Sequence, residues 1–505
     1  MAYEFLSSCS SFLITLLLLI VLLKSIKLVF SKRVRLPPSP WKLPLLGNLH
    51  QVGSLPHQSL HKLAKKHGPL MIINLGQVPT LVVSSSEMAR ETMKTHDLNF
   101  ANRPHFKAAD ILLYGNLDMN FAPYGDHWRK MRKISVTNLL SARRVQSLSA
   151  EKEAEVAQLM DKIISQASSS PSGALNLSDL FRNFTLDMLY TAIMGKLSGG
   201  EEGRNETFRE LIDENLDILG GFSLDDFFPS MGWLTSLLGM DERAKRTFRK
   251  WDAALSKLIQ EHLTRNEGNL KADNFVDILL SLQKDPNTDM TLTDDHVKAL
   301  LMDIFVGATD TTNVSLEWGM AELIRNPQVM KKLQNEVRGI AAGKSMLKQD
   351  DLSEMHYLKA VIKENLRLHP PAPFLFPRET VESCEIEGYH IPAKTRVIIN
   401  FWSMGRDPKV WDNPEEFQPE RFVNSPIDFN GLDYEYIPFG AGRRVCPGIQ
   451  FAVSTLYLAL ANLVNRFDWK LPDYMKDEKE IDMTETAGPT MKMKTELHLV
   501  PEPRF

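Results

Sequence analysis

The sequence predicts one large, mainly helical domain with a small β region, preceded by an N-terminal transmembrane helix. Three observations carry that prediction. An uncharged apolar run covers Phe5 to Leu23. Helical patterns run from about Thr291 to Arg325, around Leu358 to Leu366, and from about Gly448 to Arg466, whereas only Leu70 to Ile73 and Thr80 to Val83 read as strands near the N-terminus. The third is continuity: between residue 50 and the C-terminus there is no internal repeat and no long low-complexity linker, so residues 51–505 read as a single domain, although length alone suggests about three. The polar stretches Ser165 to Gly173 and Ser198 to Asn205 read as surface loops between helices.

Phe5 to Leu23 would span roughly 28 Å as a helix, close to the roughly 30 Å hydrocarbon core of a bilayer. Glu4 precedes it, while Lys24, Lys27, Lys32, Arg33 and Arg35 follow, which places the bulk of the chain on the cytosolic side. A cleaved signal peptide would want positive charge ahead of the run and a small-residue cleavage site after it, and neither is present. Residues 1–30 are thus expected to form a membrane anchor and residues 31–50 a basic, proline-rich hinge, stiffened between Pro37 and Pro44. A net charge of -4 argues against a nucleic-acid partner. Three cysteines, Cys9, Cys384 and Cys446, argue for a reducing compartment, where the N-x-S/T triplets at Asn176, Asn183, Asn205 and Asn313 carry no meaning.

Trp128 and Arg132 stand four apart on an expected helix amid Arg129, Lys130, Lys133, Arg143 and Arg144, a charge run that by itself is a solvated face. The long helix begins at Thr291-Leu292-Thr293-Asp294-Asp295, where hydroxyls can cap free amides and acids meet the helix dipole. It ends at Asn326-Pro327 after about 33 residues, or roughly 50 Å. Near its middle, Gly307-Ala308-Thr309-Asp310-Thr311-Thr312 interrupts the apolar run, and a local bulge opening a groove is expected there. Glu364 and Arg367, three apart, share a helix face and from spacing alone form a solvated ion pair.

Cys446 closes the loop Phe439-Gly440-Ala441-Gly442-Arg443-Arg444-Val445-Cys446-Pro447-Gly448, which runs into an apolar helix. Glycines let the backbone pass close to a flat ligand. The helix N-terminus is expected to lower the pKa of the sulfur, and a thiolate there could hold iron. An isolated cysteine would more often be a small buried hydrophobe. Other signatures fail. Val445 occupies the last position of a G-x-G-x-x-G pattern, Arg338 replaces the first glycine of a phosphate loop before Gly343-Lys344-Ser345, and no H-E-x-x-H zinc motif occurs.

Phe439, Gly442, Arg444, Cys446 and Gly448 resemble the haem-ligand signature of the cytochrome P450 family, and the resemblance extends from hinge to C-terminal tail, closest to the plant microsomal type of specialised metabolism. It implies the P450 fold, haem b (iron protoporphyrin IX) as cofactor, and Cys446 as the iron ligand. Phe439, Gly442 and Gly448 would shape the haem loop. Asp310 and Thr311 would deliver protons to dioxygen, with Ala308 standing where the family most often has glycine and narrowing the groove. Trp128, Arg132, Arg378 and Arg444 would face the haem propionates, and Glu364, Arg367 and Arg421 would form a structural triad. Position in the family puts Ile304, Phe305, Ala308, Thr312, Phe374, Phe376 and Gly488 in a substrate pocket.

The expected activity is insertion of one oxygen atom from O2 into a hydrophobic small molecule. NADPH and flavins would enter only through a partner, NADPH-cytochrome P450 reductase, for which the basic face near Arg129 is a docking surface. The implied location is the endoplasmic reticulum membrane, single-pass, with the domain facing the cytosol. Two rivals stand beside it: a haem-thiolate isomerase or dehydratase that needs no O2, and a non-catalytic haem protein. Asp310 and Thr311 argue against the first, and intact ligand, relay and propionate positions argue against the second.

Overall fold

The computed structural model describes residues 34–504 except 171, 196–203, 222, 240, 266–273, 289 and 487. The expected anchor over residues 1–30 lies outside the described residues, among which no helix is long and apolar enough to cross a membrane. Helices dominate, and the long one at the centre, Asp294–Arg325, organises them. Its start is fixed chemically: the Thr293 hydroxyl accepts from the His296 amide and the His296 ring accepts from the Thr293 amide, with Asp294 and Asp295 against the dipole. Asn326 and the following proline stop it. Helix Leu177–Met194 lies along it, and helices His356–Leu368 and Ile449–Arg466 pack against it from other sides. Apolar side chains therefore surround most of its length, as expected for a helix inside a core.

The strands in chain order are β1 (Leu70–Leu75), β2 (Val78–Val83), β3 (Leu175–Asn176), β4 (Arg378–Glu379), β5 (Cys384–Ile386), β6 (Tyr389–Ile391), β7 (Arg396–Ile399), β8 (Phe467–Lys470) and β9 (His498–Pro503). The two expected strands are present as β1 and β2 and pair antiparallel as a hairpin, with Leu70 opposite Val83 and Leu75 opposite Val78. The sheet they start is completed from far along the chain: β7 pairs parallel to β2, Thr80 opposite Arg396, and β4 pairs antiparallel to β7. The backbone of residues 35–48 lies against this region, the Ile72 amide donating to Pro38 O and the His390 amide to Arg35 O.

Two local expectations change. Helix Ser149–Ser169 runs through most of the polar stretch that begins at Ser165, its exposed serines turning their hydroxyls back onto the preceding turn. The central helix stays α-helical through Gly307 to Thr312 without a bulge, because Thr309 Oγ1 donates to Phe305 O at 2.7 Å and Thr311 Oγ1 to Gly307 O at 2.9 Å. The hydroxyls are satisfied along the helix, so the ladder need not open.

Candidate functional site: a cavity between the cysteine loop and the central helix

The cysteine loop is folded by its own backbone. The Cys446 amide donates to Phe439 O at 2.9 Å and the Val445 amide to Gly442 O at 3.1 Å, closing a tight turn ahead of helix Ile449–Arg466. The two glycines have different reasons. Gly440 has φ +73 and lines a cavity. Gly442 has φ +68 and does not line it; a Cβ there would meet Met93 O and Asp97 Oδ1, both at 2.5 Å. The Gly448 amide donates to Cys446 Sγ at 3.4 Å. Burial pushes the Cys446 thiol pKa up, and the Gly448 amide and the Arg132 guanidinium oppose that without overcoming it. The helix terminus thus lowers the thiol pKa as expected, through the Gly448 amide, while burial acts in the opposite direction and is the larger effect.

The cavity holds about 1500 Å³ free of protein atoms, part of it open to solvent, and its walls are mostly apolar. The cysteine loop supplies Phe439, Cys446 and Gly448 to it, and the central helix supplies Ile304, Gly307, Ala308, Thr311 and Thr312. Trp128, Arg132, Arg378, Arg444 and Phe376 line it as well. The tertiary fold thus brings together residues more than 300 positions apart in sequence.

Four guanidiniums crowd one region. Arg444 donates to the carbonyls of Ala101, Met119 and Ala122, Arg378 to Ala441 O, and Arg132 to Val445 O at 2.6 Å. Arg103, which the sequence did not single out, donates to Asn120 O and Pro377 O, both at 2.7 Å. Burial, with the neighbouring Arg378 adding to it, pulls the Arg444 pKa down to about 9, and burial brings Arg378 to about 10. The acids that face the cluster are Asp97 and Asp118, and burial pushes both carboxyl pKa values up. Positive charge is in surplus, which suits a ligand carrying two carboxylates beside a flat apolar body. Haem b has that shape and charge, so the residues present fit it.

Besides Gly442, four of the expected site residues lie off the cavity. Asp310 is buried off the cavity, hydrogen-bonded by Thr490 Oγ1 and ion-paired with Lys492 Nζ at 2.8 Å, because it follows Thr309 and precedes Thr311 around the helix and so faces the C-terminal segment. Phe305 is stacked on Phe208 at 4.7 Å on another face of the central helix. Phe374 packs in a separate cluster with Met71 and Ile73, edge-on to His57. Gly488 turns toward Thr490, whose carbonyl a Cβ would meet at 3.1 Å, and does not line the cavity. The sequence also passed over Asp303, a buried cavity-wall acid visible as the single charge between Leu301 and Phe305.

Glu364, Arg367 and Arg421 do meet. Arg367 forks both Glu364 oxygens at 2.7 and 2.8 Å, Arg421 Nε reaches Glu364 Oε1 at 3.2 Å, and the Gln418 amide adds a bond at 2.8 Å. Glu364 and Arg367 are 0 % exposed, so the pair is buried rather than solvated as spacing alone suggested.

The fold and this cavity define a haem-binding type of oxidoreductase, and comparison with known proteins agrees. The family model for cytochrome P450 matches residues 37–497, so the chain belongs to the cytochrome P450 family and is a monooxygenase of it. It is 47% identical to cytochrome P450 71AP13 of Prunus mume over 97% of this chain and 95% of that protein. It is 46% identical to strychnine-11-hydroxylase of Strychnos nux-vomica over 96% of this chain and 94% of that protein. Premnaspirodiene oxygenase of Hyoscyamus muticus is 44% identical over 99% of both chains.

Proposed function

We propose that this P450 is a membrane-anchored enzyme that inserts one oxygen atom from O2 into a hydrophobic small molecule of plant specialised metabolism, using electrons passed from NADPH by a reductase. The observation that carries this reading is the placement of Cys446 and Thr311 on the walls of one apolar cavity beside a guanidinium cluster. Cys446 would be the iron ligand, with Arg132, Arg378 and Arg444 holding the carboxylates of haem b, while Trp128, whose one N–H goes to Met119 O, packs under Arg444 beside them. Bound there, the haem supplies thiolate-ligated iron for oxygen activation, a property of the family in general and not of this chain in particular. Thr311, whose hydroxyl proton is given to Gly307 O, would offer its oxygen as an acceptor that orders water on the reacting side, with Asp310 behind it connecting through Lys492 to the protein surface. Ile304, Ala308, Thr312 and Phe376 would exclude water and shape the substrate space.

Membrane association draws support from the apolar surface as well as from the Phe5 to Leu23 run. Trp41 and Leu45 are 71% and 80% exposed, Trp233 and Leu237 65% and 73%. The two stretches adjoin, since the Gly76 amide donates to Leu46 O and the Gln77 amide to Phe227 O. Such a patch suits a lipid surface. The charge order of the N-terminus favours a domain facing the cytosol, and the endoplasmic reticulum is the membrane that the family resemblance implies.

The test is product formation in microsomes co-expressing a plant NADPH reductase, with terpenoid, phenolic and amino-acid-derived substrates under isotopically labelled O2. Label in the product is expected. Product formed without O2 or NADPH would favour an isomerase instead. The Cys446→Ala variant should lose the thiolate spectrum of the reduced carbon monoxide complex, and an unchanged spectrum would remove Cys446 as ligand.

A further inference from the structure

Asp303 sits on the central helix next to the cavity-lining Ile304, 7% exposed and surrounded in sequence by Leu301, Met302 and Phe305. A carboxyl in such surroundings is costly unless it is hydrogen-bonded. Both its oxygens are used, and both by the same loop: Oδ2 accepts from the Met119 amide at 2.7 Å and Oδ1 from Asn120 Nδ2 at 3.0 Å. That loop in turn aligns the guanidinium cluster. The Met119 carbonyl accepts from Trp128 Nε1 at 3.0 Å and from Arg444 Nη1 at 3.2 Å. The Asn120 carbonyl accepts from Arg103 Nε at 2.7 Å and the Ala122 carbonyl from Arg444 Nη2 at 2.6 Å. Asp118 braces the loop from within, accepting from the Phe121 amide at 2.6 Å.

We infer that Asp303 is a positioning residue that ties loop 118–122 to the central helix, holding Trp128 and Arg444 in register with the wall that carries Ile304, Ala308 and Thr311. This rests on the reading of the guanidinium cluster as the cradle of the haem carboxylates, and it deepens that reading by joining the cradle to the substrate wall through one side chain. Because both Asp303 oxygens are occupied by the loop, its part is mechanical and does not depend on contact with substrate.

The experiment uses the full-length, haem-loaded protein. Asp303→Leu removes both acceptors at similar volume, whereas Asp303→Asn keeps an acceptor for the Met119 amide and can donate to Asn120 once that amide turns over. Two quantities are read: hydrogen exchange of the backbone amides in 118–122 and the rate of haem transfer to apomyoglobin. D303L should raise both by about tenfold, the loss expected when a buried donor is left unpaired, and D303N should stay within about threefold of the parent. Parent-like values in D303L, or D303N as damaging as D303L, would overturn the tether. Should D303L fail to fold, Asn120→Ala removes one arm alone, and no rise in either quantity would overturn it equally. The carbon monoxide spectrum of the parent reports separately on the thiolate. Its absence would sink the haem reading, while exchange in 118–122 would still decide the role of Asp303.

Discussion

Lys492 holds the Asp310 carboxylate at 2.8 Å, and the same ammonium stands 3.9 Å from the partly exposed Asp213. Asp310 is therefore tied to the surface by charge while its neighbour Thr311 lines the cavity. Asp310→Asn keeps the volume and a bond to Thr490 but removes the acid. Product formation should fall by about a hundredfold with an increased solvent isotope effect, the usual scale for losing a positioned acid. Thr311→Ala should instead uncouple NADPH consumption from product and release peroxide. An Asp310→Asn enzyme with the parent rate and isotope effect would take Asp310 out of proton delivery.

The Glu364 and Arg367 pair is wholly buried, with Arg367 also donating to the carbonyls of Gly405, Pro414 and Glu416. Removing one member strands the other's charge. Glu364→Gln or Arg367→Leu should cost about 3–5 kcal/mol in chemical unfolding. Arg421→Ala, which gives up one longer bond to Glu364 and one to the exposed Asn413 carbonyl, should cost about 1–2 kcal/mol. Equal losses from all three would show that Arg421 carries more than its geometry indicates.

Gly440 and Gly442 both adopt positive φ, yet their surroundings differ. Alanine at 440 meets nothing closer than Leu375 Cδ1 at 4.0 Å, so only the backbone conformation opposes it. The cost should be about 1–2 kcal/mol. Alanine at 442 additionally runs into Met93 O and Asp97 Oδ1, and Gly442→Ala should be the worse by about 1–3 kcal/mol and lower the haem content of purified protein. Unfolding curves for the two variants compare them directly.

Burial pushes the Glu317 carboxyl from its ordinary 4.5 to about 7, while a hydrogen bond from Ser178 opposes the shift. Between those two values the folded chain keeps a proton that the unfolded chain has released. Stability contributed by this group is thus complete below about pH 4.5 and is lost as pH rises through about 7. Glu317→Gln should remove that slope, with a gain over the parent approaching about 3 kcal/mol above pH 8. Parallel stability curves for parent and variant across this range would contradict the shift.

Several features were legible because they depend on neighbours in sequence. Thr293 caps a helix whose acids follow at once, Asn326-Pro327 ends it, and the strands β1 and β2 are each signalled by their own apolar residues, although their pairing is not. The cysteine loop was legible as a spaced set of residue types. Phe305 and Phe374 were misplaced because an aromatic side chain a few positions from a cavity residue can face any packed neighbour, and here Phe208 and His57 claim them. Asp303 was readable only as an oddity, since its partners lie more than 180 residues away.

By itself the sequence determined the local chemistry: where helices start and stop, which residue types stand beside Cys446, and an uncharged run long enough for a bilayer. Only the tertiary structure decided that Glu364 and Arg367 are buried, that Asp310 turns to Lys492 instead of the cavity, and that burial outweighs the helix terminus at Cys446. The physical reason is range. Capping and turn formation act over a few bonds along the chain, whereas desolvation and ion pairing depend on which distant segments pack against a group, and that is known only once the core has closed.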